Sequence, residues 1–243
     1  MNKTTLITGA GRGIGEAIAL KFASENHKLI LLIQKYNQRL KLVQKLKKFN
    51  IDFKIFTGDL KDQKFLKTLD KRITKIDNIV NNAALANTKY FTKVSDKELE
   101  DILNVNLKII FKLSQIFSKK MIKNRIKGNI INISSQLGHI GAYNRTAYCM
   151  TKFGLEGLTK SMALDLGKYG IRVNTVAPTK TIVNQEERKK TKKRLNLIKK
   201  KIPLNKFSTT KQIADIVYFL TTKSAESITG TSIVSDGGWT SGK

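Results

Sequence analysis

The stretch "TTLITGAGRGIG", residues 4–15, decides how this chain folds. Its first five residues are mostly β-branched or apolar, as expected of a strand covered on both faces, whereas Ile14 to Ser24 repeats its apolar positions with a helical period. Glycines at 9, 13 and 15 lie at the junction. A strand passing through a glycine turn into a helix is the opening unit of a parallel sheet. The glycines let backbone approach a phosphate closely, and the helix N-terminus adds amide donors and a favourable dipole. The spacing is G-x-x-x-G-x-G rather than G-x-G-x-x-G, so the turn by itself predicts a pyrophosphate cradle and nothing narrower.

Working outward, the same kind of apolar run recurs at 28–33, 53–56, 76–80, 129–134, 171–176 and 231–235. Amphipathic stretches alternate with these runs, among them Ile14 to Ser24, Gln38 to Phe49, Asp96 to Met121 and Ala147 to Lys168. Two helix starts carry capping boxes, Ser95-x-x-Glu98 and Thr209-x-x-Gln212. The alternation predicts an α/β fold: a doubly wound, Rossmann-like sheet of about seven parallel strands with helices on both faces. Only Pro178 and Pro203 occur, and no Gly/Ser-rich linker or internal repeat interrupts the pattern, so residues 1–243 read as a single domain.

The chain carries 46 Lys plus Arg against 18 Asp plus Glu, a formal net charge of +28. Such a charge attracts nucleic acid, anionic membrane surfaces and acidic substrates. The basic residues, however, run through every predicted helix, including 41–48, 119–127 and 186–201. They therefore read as solvated helix faces, and no specific nucleic-acid partner is expected. One cysteine, Cys149, leaves no intramolecular disulfide framework and no thiolate zinc cluster, so no metal site is expected. No apolar run reaches membrane-spanning length and no secretory h-region opens the chain, so the expected location is cytoplasmic, away from membranes.

Two further stretches carry chemistry. In "YCMTK", residues 148–152, Lys152 falls four places after Tyr148, on the same face of a predicted helix. An ammonium beside a phenol is expected to lower the phenol's pKa and let tyrosine move protons near neutrality. At the end of the second predicted strand, Gln34 and Lys35 stand where an acidic residue would bond the ribose 2′-hydroxyl of NAD, and Arg12 lies in the glycine turn. Basic groups there suit a 2′-phosphate, so NADP(H) is the expected cofactor, with NAD(H) as the alternative.

Taken together, "TGAGRGIG" (8–15), "NNAA" (81–84), "NVNL" (104–107), "NISS" (132–135), "YCMTK" (148–152), "IRVNTVAPT" (171–179) and "ITGTSIVSDGG" (228–238) resemble the single-domain short-chain dehydrogenase/reductases, from residue 4 to about 239. The nearest pattern is that of 3-oxoacyl-[acyl-carrier-protein] reductases and of sugar or polyol dehydrogenases. The resemblance implies a catalytic set of Asn106, Ser135, Tyr148 and Lys152. In it Tyr148 is the proton donor, Ser135 bonds the substrate oxygen, and Asn106 opens its helix to hold a water that links Lys152 to solvent. It implies cofactor contacts at Gly9, Arg12, Gly13, Ile14, Gly15, Lys35, Asp59, Leu60, Asn82, Tyr148, Lys152 and Thr181. It also implies a substrate lid at about 180–205, whose basic residues suit an anionic or carrier-linked carbonyl substrate, and it places His139 and Tyr143 near that substrate. A homotetramer built through 96–121 and 147–168 is expected. Two departures stand out: Ala84 and Thr179 occupy positions that are usually glycine, and a threonine forced to positive φ would be strained. From another class, a non-catalytic basic nucleic-acid-binding or regulatory protein on this fold remains the rival reading.

Overall fold

The computed structural model describes residues 2–181 and 192–242. Alternating strands and helices run in order: β1 Thr4–Thr8, α1 Gly13–Ser24, β2 Lys28–Ile33, α2 Tyr36–Leu46, β3 Phe53–Thr57, α3 Gln63–Arg72 and β4 Asn78–Asn81. They continue with α4 Asp96–Leu103, a π-helical turn Asn104–Lys108, α5 Ile109–Lys123, β5 Asn129–Ile133, α6 Thr146–Gly167, β6 Arg172–Pro178, α7 Lys192–Lys199, α8 Thr210–Phe219 and β7 Ser232–Ser235. The seven strands form one sheet in the order β3-β2-β1-β4-β5-β6-β7, every pairing parallel.

Successive strand residues point to opposite faces, and the sheet accordingly separates two cores. Ile7, Leu31, Val80, Ile131 and Val176 pack with Ile18 and Phe22 of α1 and Ile213 and Val217 of α8. Their neighbours Leu6, Ile30, Ile79, Ile130 and Val173 pack on the other face with Leu66 and Leu69 of α3 and Leu113 and Phe117 of α5. This is why the strands read as continuously apolar.

Both capping boxes form as expected, at Ser95 and Thr209. The amphipathic stretch from 96 to 121 is divided by the π turn at 104–108, at the point where the resemblance implies that Asn106 opens its helix, and the Asn106 side chain is bonded to loop backbone. Helix α3 was not legible: it buries only Leu66 and Leu69, and its start is fixed by the Asp62 carboxylate, which accepts from Lys64 N at 2.8 Å. β5 stops at Ile133, which leaves Ser134 and Ser135 just beyond the strand.

Candidate active site

β1 and β4 are neighbours although β2 and β3 intervene in the chain, so connections leave them in opposite directions and a crevice opens at their carboxyl ends. The glycine turn follows β1 there. Gly9 (φ +63°) and Gly13 (φ +61°) hold conformations that side chains disfavour, and a Cβ on Gly9 would come 3.0 Å from Ala83 Cα. The turn is clamped to β4 by two side chains. The Thr8 hydroxyl accepts from Asn82 N and Ala83 N, both at 2.9 Å, while Asn82 Nδ2 donates to Thr8 O at 3.0 Å and Gly9 O at 3.2 Å. Gly15 answers to a different need from the one expected. It is buried, and a Cβ there would lie 2.2 Å from Gly9 O and 2.5 Å from Asn82 Nδ2, so contact within the protein, not approach of a phosphate, requires the glycine.

The remaining sequence-derived positions line the same edge. Arg12 is exposed at the start of α1, with Ile14 half-buried behind it, and Lys35 is exposed where β2 gives way to α2. Asp59, past β3, is exposed and accepts from Lys61 N at 2.9 Å, and Leu60 beside it packs into the second core. Past β6, the Thr181 hydroxyl donates to Thr179 O at 3.2 Å. The structure thus brings the turns after β1, β2, β3, β4 and β6 to one edge, with polar groups and bare glycine backbone directed there. The positive-φ turn over a helix N-terminus fits a pyrophosphate-bearing dinucleotide.

Ser135, after β5, and the first turns of α6 meet beside this crevice. Ser135 Oγ accepts from Leu137 N at 3.1 Å, and the Ser135 side chain is one of the groups that pull the Tyr148 pKa down. Lys152 is 1% exposed; its Nζ donates to Ile133 O at 2.8 Å and lies 5.6 Å from the centroid of the Tyr148 ring. Burial brings the Lys152 pKa down from the usual lysine value to about 8, against an upward pull from Glu156. Asn106, fully buried in the π turn, accepts from Leu85 N at 2.8 Å and donates to Leu85 O at 2.9 Å and Thr151 Oγ1 at 3.1 Å. Its side chain therefore pins the loop after β4 to α6, one residue before Lys152.

One expectation needs correction. The Tyr148 phenol is held above its ordinary pKa by burial, and the groups pulling it down are the Ser135 side chain and Arg145 rather than Lys152, whose ammonium is turned to the Ile133 carbonyl. His139 Nε2 is 3.0 Å from Ser232 Oγ of β7 and 3.4 Å from Glu156 Oε1, and Tyr143 is 99% exposed. The concern over Ala84 and Thr179 also resolves, since neither adopts positive φ and Thr179 N donates to Ser235 O at 3.1 Å as a continuation of the β6–β7 ladder. Sequence reasoning missed the clamping role of Thr8 and the buried carboxylate of Glu156. The signal for Glu156 was available, because it follows Lys152 by four residues, the same spacing that singled out the Tyr/Lys pair.

The expected lid lies partly outside the described residues. Its far end is fastened by the chain terminus: Leu204 N donates to Gly237 O at 3.0 Å, and a Cβ on Gly237 would lie 2.5 Å from Ile202 Cγ2. The buried Asp236 carboxylate, accepting from Gly238 N and from the Thr240 backbone and hydroxyl at 2.8 Å each, holds that terminal turn. A cavity of about 790 Å³ lies away from this site. It opens at the amino ends of the strands between Lys3, Arg125, Lys127, Lys168, Arg172 and Lys223. No helix among the described residues is long and apolar enough to cross a membrane, and no cluster there of His, Cys, Asp and Glu could hold a metal ion.

A family model described as Enoyl-(Acyl carrier protein) reductase matches residues 9–240. The chain is 35% identical to a 3-oxoacyl-[acyl-carrier-protein] reductase of Buchnera aphidicola subsp. Baizongia pistaciae, over 97% of this chain and 96% of the relative. It is 32% identical to the L-xylulose reductase of Mus musculus, over 98% and 96%. Among solved structures, a 4-hydroxyisoleucine dehydrogenase complexed with NADH superposes with a TM-score of 0.92 at 31% identity, the two chains covering each other completely. These matches span nearly the whole of a sheet whose carboxyl edge carries the glycine turn and the Ser135, Tyr148 and Lys152 cluster. The chain belongs to the short-chain dehydrogenase/reductase family, oxidoreductases that pass hydride between a nicotinamide dinucleotide and a carbonyl or alcohol carbon.

Proposed function

We propose that this protein reduces a 3-oxoacyl group carried on an acyl carrier protein, with NADP(H) as the preferred cofactor. The reading rests above all on the convergence of Ser135, Tyr148 and Lys152 beside the glycine turn. Bound in the crevice, the reduced dinucleotide supplies hydride to the carbonyl carbon. The Tyr148 hydroxyl gives its proton to the carbonyl oxygen, so the product is the alcohol. The Ser135 hydroxyl holds that oxygen as negative charge develops on it, a type of contact whose removal costs about 10²–10³ in kcat. Lys152 presents a buried cation beside the ring of Tyr148, held on the Ile133 carbonyl at the edge of β5, and is assigned with Tyr148 to the cofactor side of the site. Asn106 keeps the segment after β4 registered on α6. Gly9, Arg12, Gly13, Ile14, Asp59, Leu60, Asn82 and Thr181 are assigned to the cofactor, Asn82 chiefly as the clamp that shapes the turn, and Gly15 as the packing contact behind it.

Arg12 and Lys35 support NADP(H), being exposed basic residues at the ends of β1 and β2, with no carboxylate in the position that would anchor a 2′-hydroxyl. A homotetramer is the proposed assembly. Phe111 (49% exposed), Met150 (45%) and Phe153 (48%) leave α5 and α6 with an apolar surface that a second copy would cover. The proposed location is the cytoplasm. A sugar or polyol dehydrogenase is the second reading, favoured by the identity to L-xylulose reductase.

One set of assays separates these readings. Turnover is measured with a 3-oxoacyl thioester, the corresponding enoyl thioester and a polyol panel, each with NADPH and with NADH. Preference for the 3-oxoacyl thioester with NADPH, lost in Tyr148→Phe, is the expected result. An unaffected Tyr148→Phe variant refutes the assigned chemistry, and equal use of NADH by the native protein and by an Arg12→Ala, Lys35→Ala variant refutes the cofactor preference.

A further inference from the structure

Among the buried ionisable groups that the mechanism leaves unused, one stands in line with its residues. Glu156 lies on α6 one turn beyond Lys152, 9% exposed, so Tyr148, Lys152 and Glu156 form an i, i+4, i+8 row on a single helix face. Helical side chains lean toward the N-terminus, which carries the Glu156 head group back toward Lys152, as the Lys152 head group is carried back toward Tyr148. The carboxylate is tied in place. Glu156 Oε2 accepts from Thr175 Oγ1 of β6 at 2.8 Å, and Oε1 accepts from Ser232 Oγ of β7 at 3.4 Å and lies 3.4 Å from His139 Nε2. Gly138 is packed against both residues of the row, for a Cβ there would stand 3.1 Å from Lys152 O and 3.3 Å from Glu156 Cγ. A buried carboxylate with a single close hydroxyl donor is costly unless something compensates its charge, and so is a buried ammonium whose direct partner is a neutral carbonyl.

We propose that Glu156 is a positioning residue of the proton-transfer set, its fixed buried carboxylate serving as the counter-charge that keeps Lys152 an ammonium. The inference rests on the reading of Tyr148 and Lys152 given above. The pair makes no direct contact within salt-bridge range, and the effect acts through space, in the sense that Glu156 raises a Lys152 pKa that burial alone would depress further. The groups facing Glu156 are few. Lys152 lies on its own helix and His139 comes from the Gln136–Gly138 turn, while β6 and β7 present only the Thr175 and Ser232 hydroxyls. The π turn meets α6 elsewhere, at Thr151 and Gly154.

The test is the pH profile of kcat/KM for NADPH-driven carbonyl reduction by the full-length protein, native against Glu156→Gln and Glu156→Asp. Glutamine retains an acceptor for Thr175 and removes only the charge. Without the carboxylate, Lys152 loses its proton at lower pH, and the alkaline limb moves down by roughly one unit, the low end of what an opposite charge does to a neighbour's pKa. Aspartate keeps the charge and restores the limb. A limb that stays in place in Glu156→Gln overturns the proposal. If Glu156→Gln alone does not fold, adding Lys152→Met removes the cation that needs a partner and recovers the fold; failure to recover overturns the proposal as well. Turnover retained in Lys152→Met would instead sink the role given to Lys152, a result separable from the others.

Discussion

A lysine enclosed on all sides trades stability for chemistry, and Lys152→Met makes that trade measurable. Burial lowers the Lys152 pKa from the ordinary 10.5 to about 8 in the folded state. Below 8 the folded and unfolded forms both bind the proton, and the folded form carries the full cost of a desolvated cation. Between 8 and 10.5 the unfolded chain binds more protons than the folded one, so stability rises with pH through that window and the cost is gone above it. The depression of about 2.5 units corresponds to roughly 3 kcal/mol at pH 7. Methionine also gives up the hydrogen bond to Ile133 O, worth about 1.5–3 kcal/mol for a charged donor. The net gain at pH 7 is therefore small, but its pH dependence is not. The Tm difference between Lys152→Met and the native protein, followed by calorimetry from pH 7 to 10.5, should drift by about 6–12 °C in favour of the native protein, at roughly 2–4 °C per kcal/mol for a chain of this size. Other titrating groups are common to both proteins and cancel. Turnover at pH 7 should be lost in the same variant. A Tm difference that does not change with pH would refute the buried-cation argument outright.

Three further substitutions probe the frame around this group. Thr8→Val keeps the shape but strands the Asn82 and Ala83 amides, which should cost about 2–3 kcal/mol and remove much of the thermal shift produced by NADPH; an unchanged melting curve would contradict the clamp. Gly15→Ala drives a methyl group into Gly9 O, so overpacking of about 1–3 kcal/mol and weaker NADPH binding by fluorescence titration are expected, whereas native-like binding would show that α1 can move away freely. Asn106→Ala frees both backbone groups of Leu85 and should lower Tm by about 4–12 °C with a fall in kcat, checked by calorimetry and steady-state assay.

The architecture was legible because each strand has two apolar faces. Leu6 and Ile7, or Ile130 and Ile131, feed different cores, and continuous apolar runs result that turn residues punctuate cleanly. Local signals of fixed spacing also carried over, as the capping boxes at Ser95 and Thr209 and the i, i+4 pair of Tyr148 and Lys152 show. What escaped depends on partners distant in sequence. Thr8 reaches its role only when β4 is laid beside β1, and the opening implied at Asn106 gave no sign that Leu85 would be its partner, a contact that no helical pattern encodes. The Tyr148 pKa was misjudged for a related reason. Which way a side chain turns, and whether burial outweighs a neighbouring charge, is set by surrounding elements such as β7 and the carbonyl of Ile133.

The fastening of Leu204 to Gly237 gives the last few residues of this chain an influence out of proportion to their number. The segment around Ile202 and Leu204 is thereby held against a turn that the Asp236 carboxylate closes on Gly238 and Thr240. A substitution that opens the 236–240 turn would thus also release Leu204 and the packing around Ile202, so a change at Asp236 is felt some thirty residues earlier in the chain.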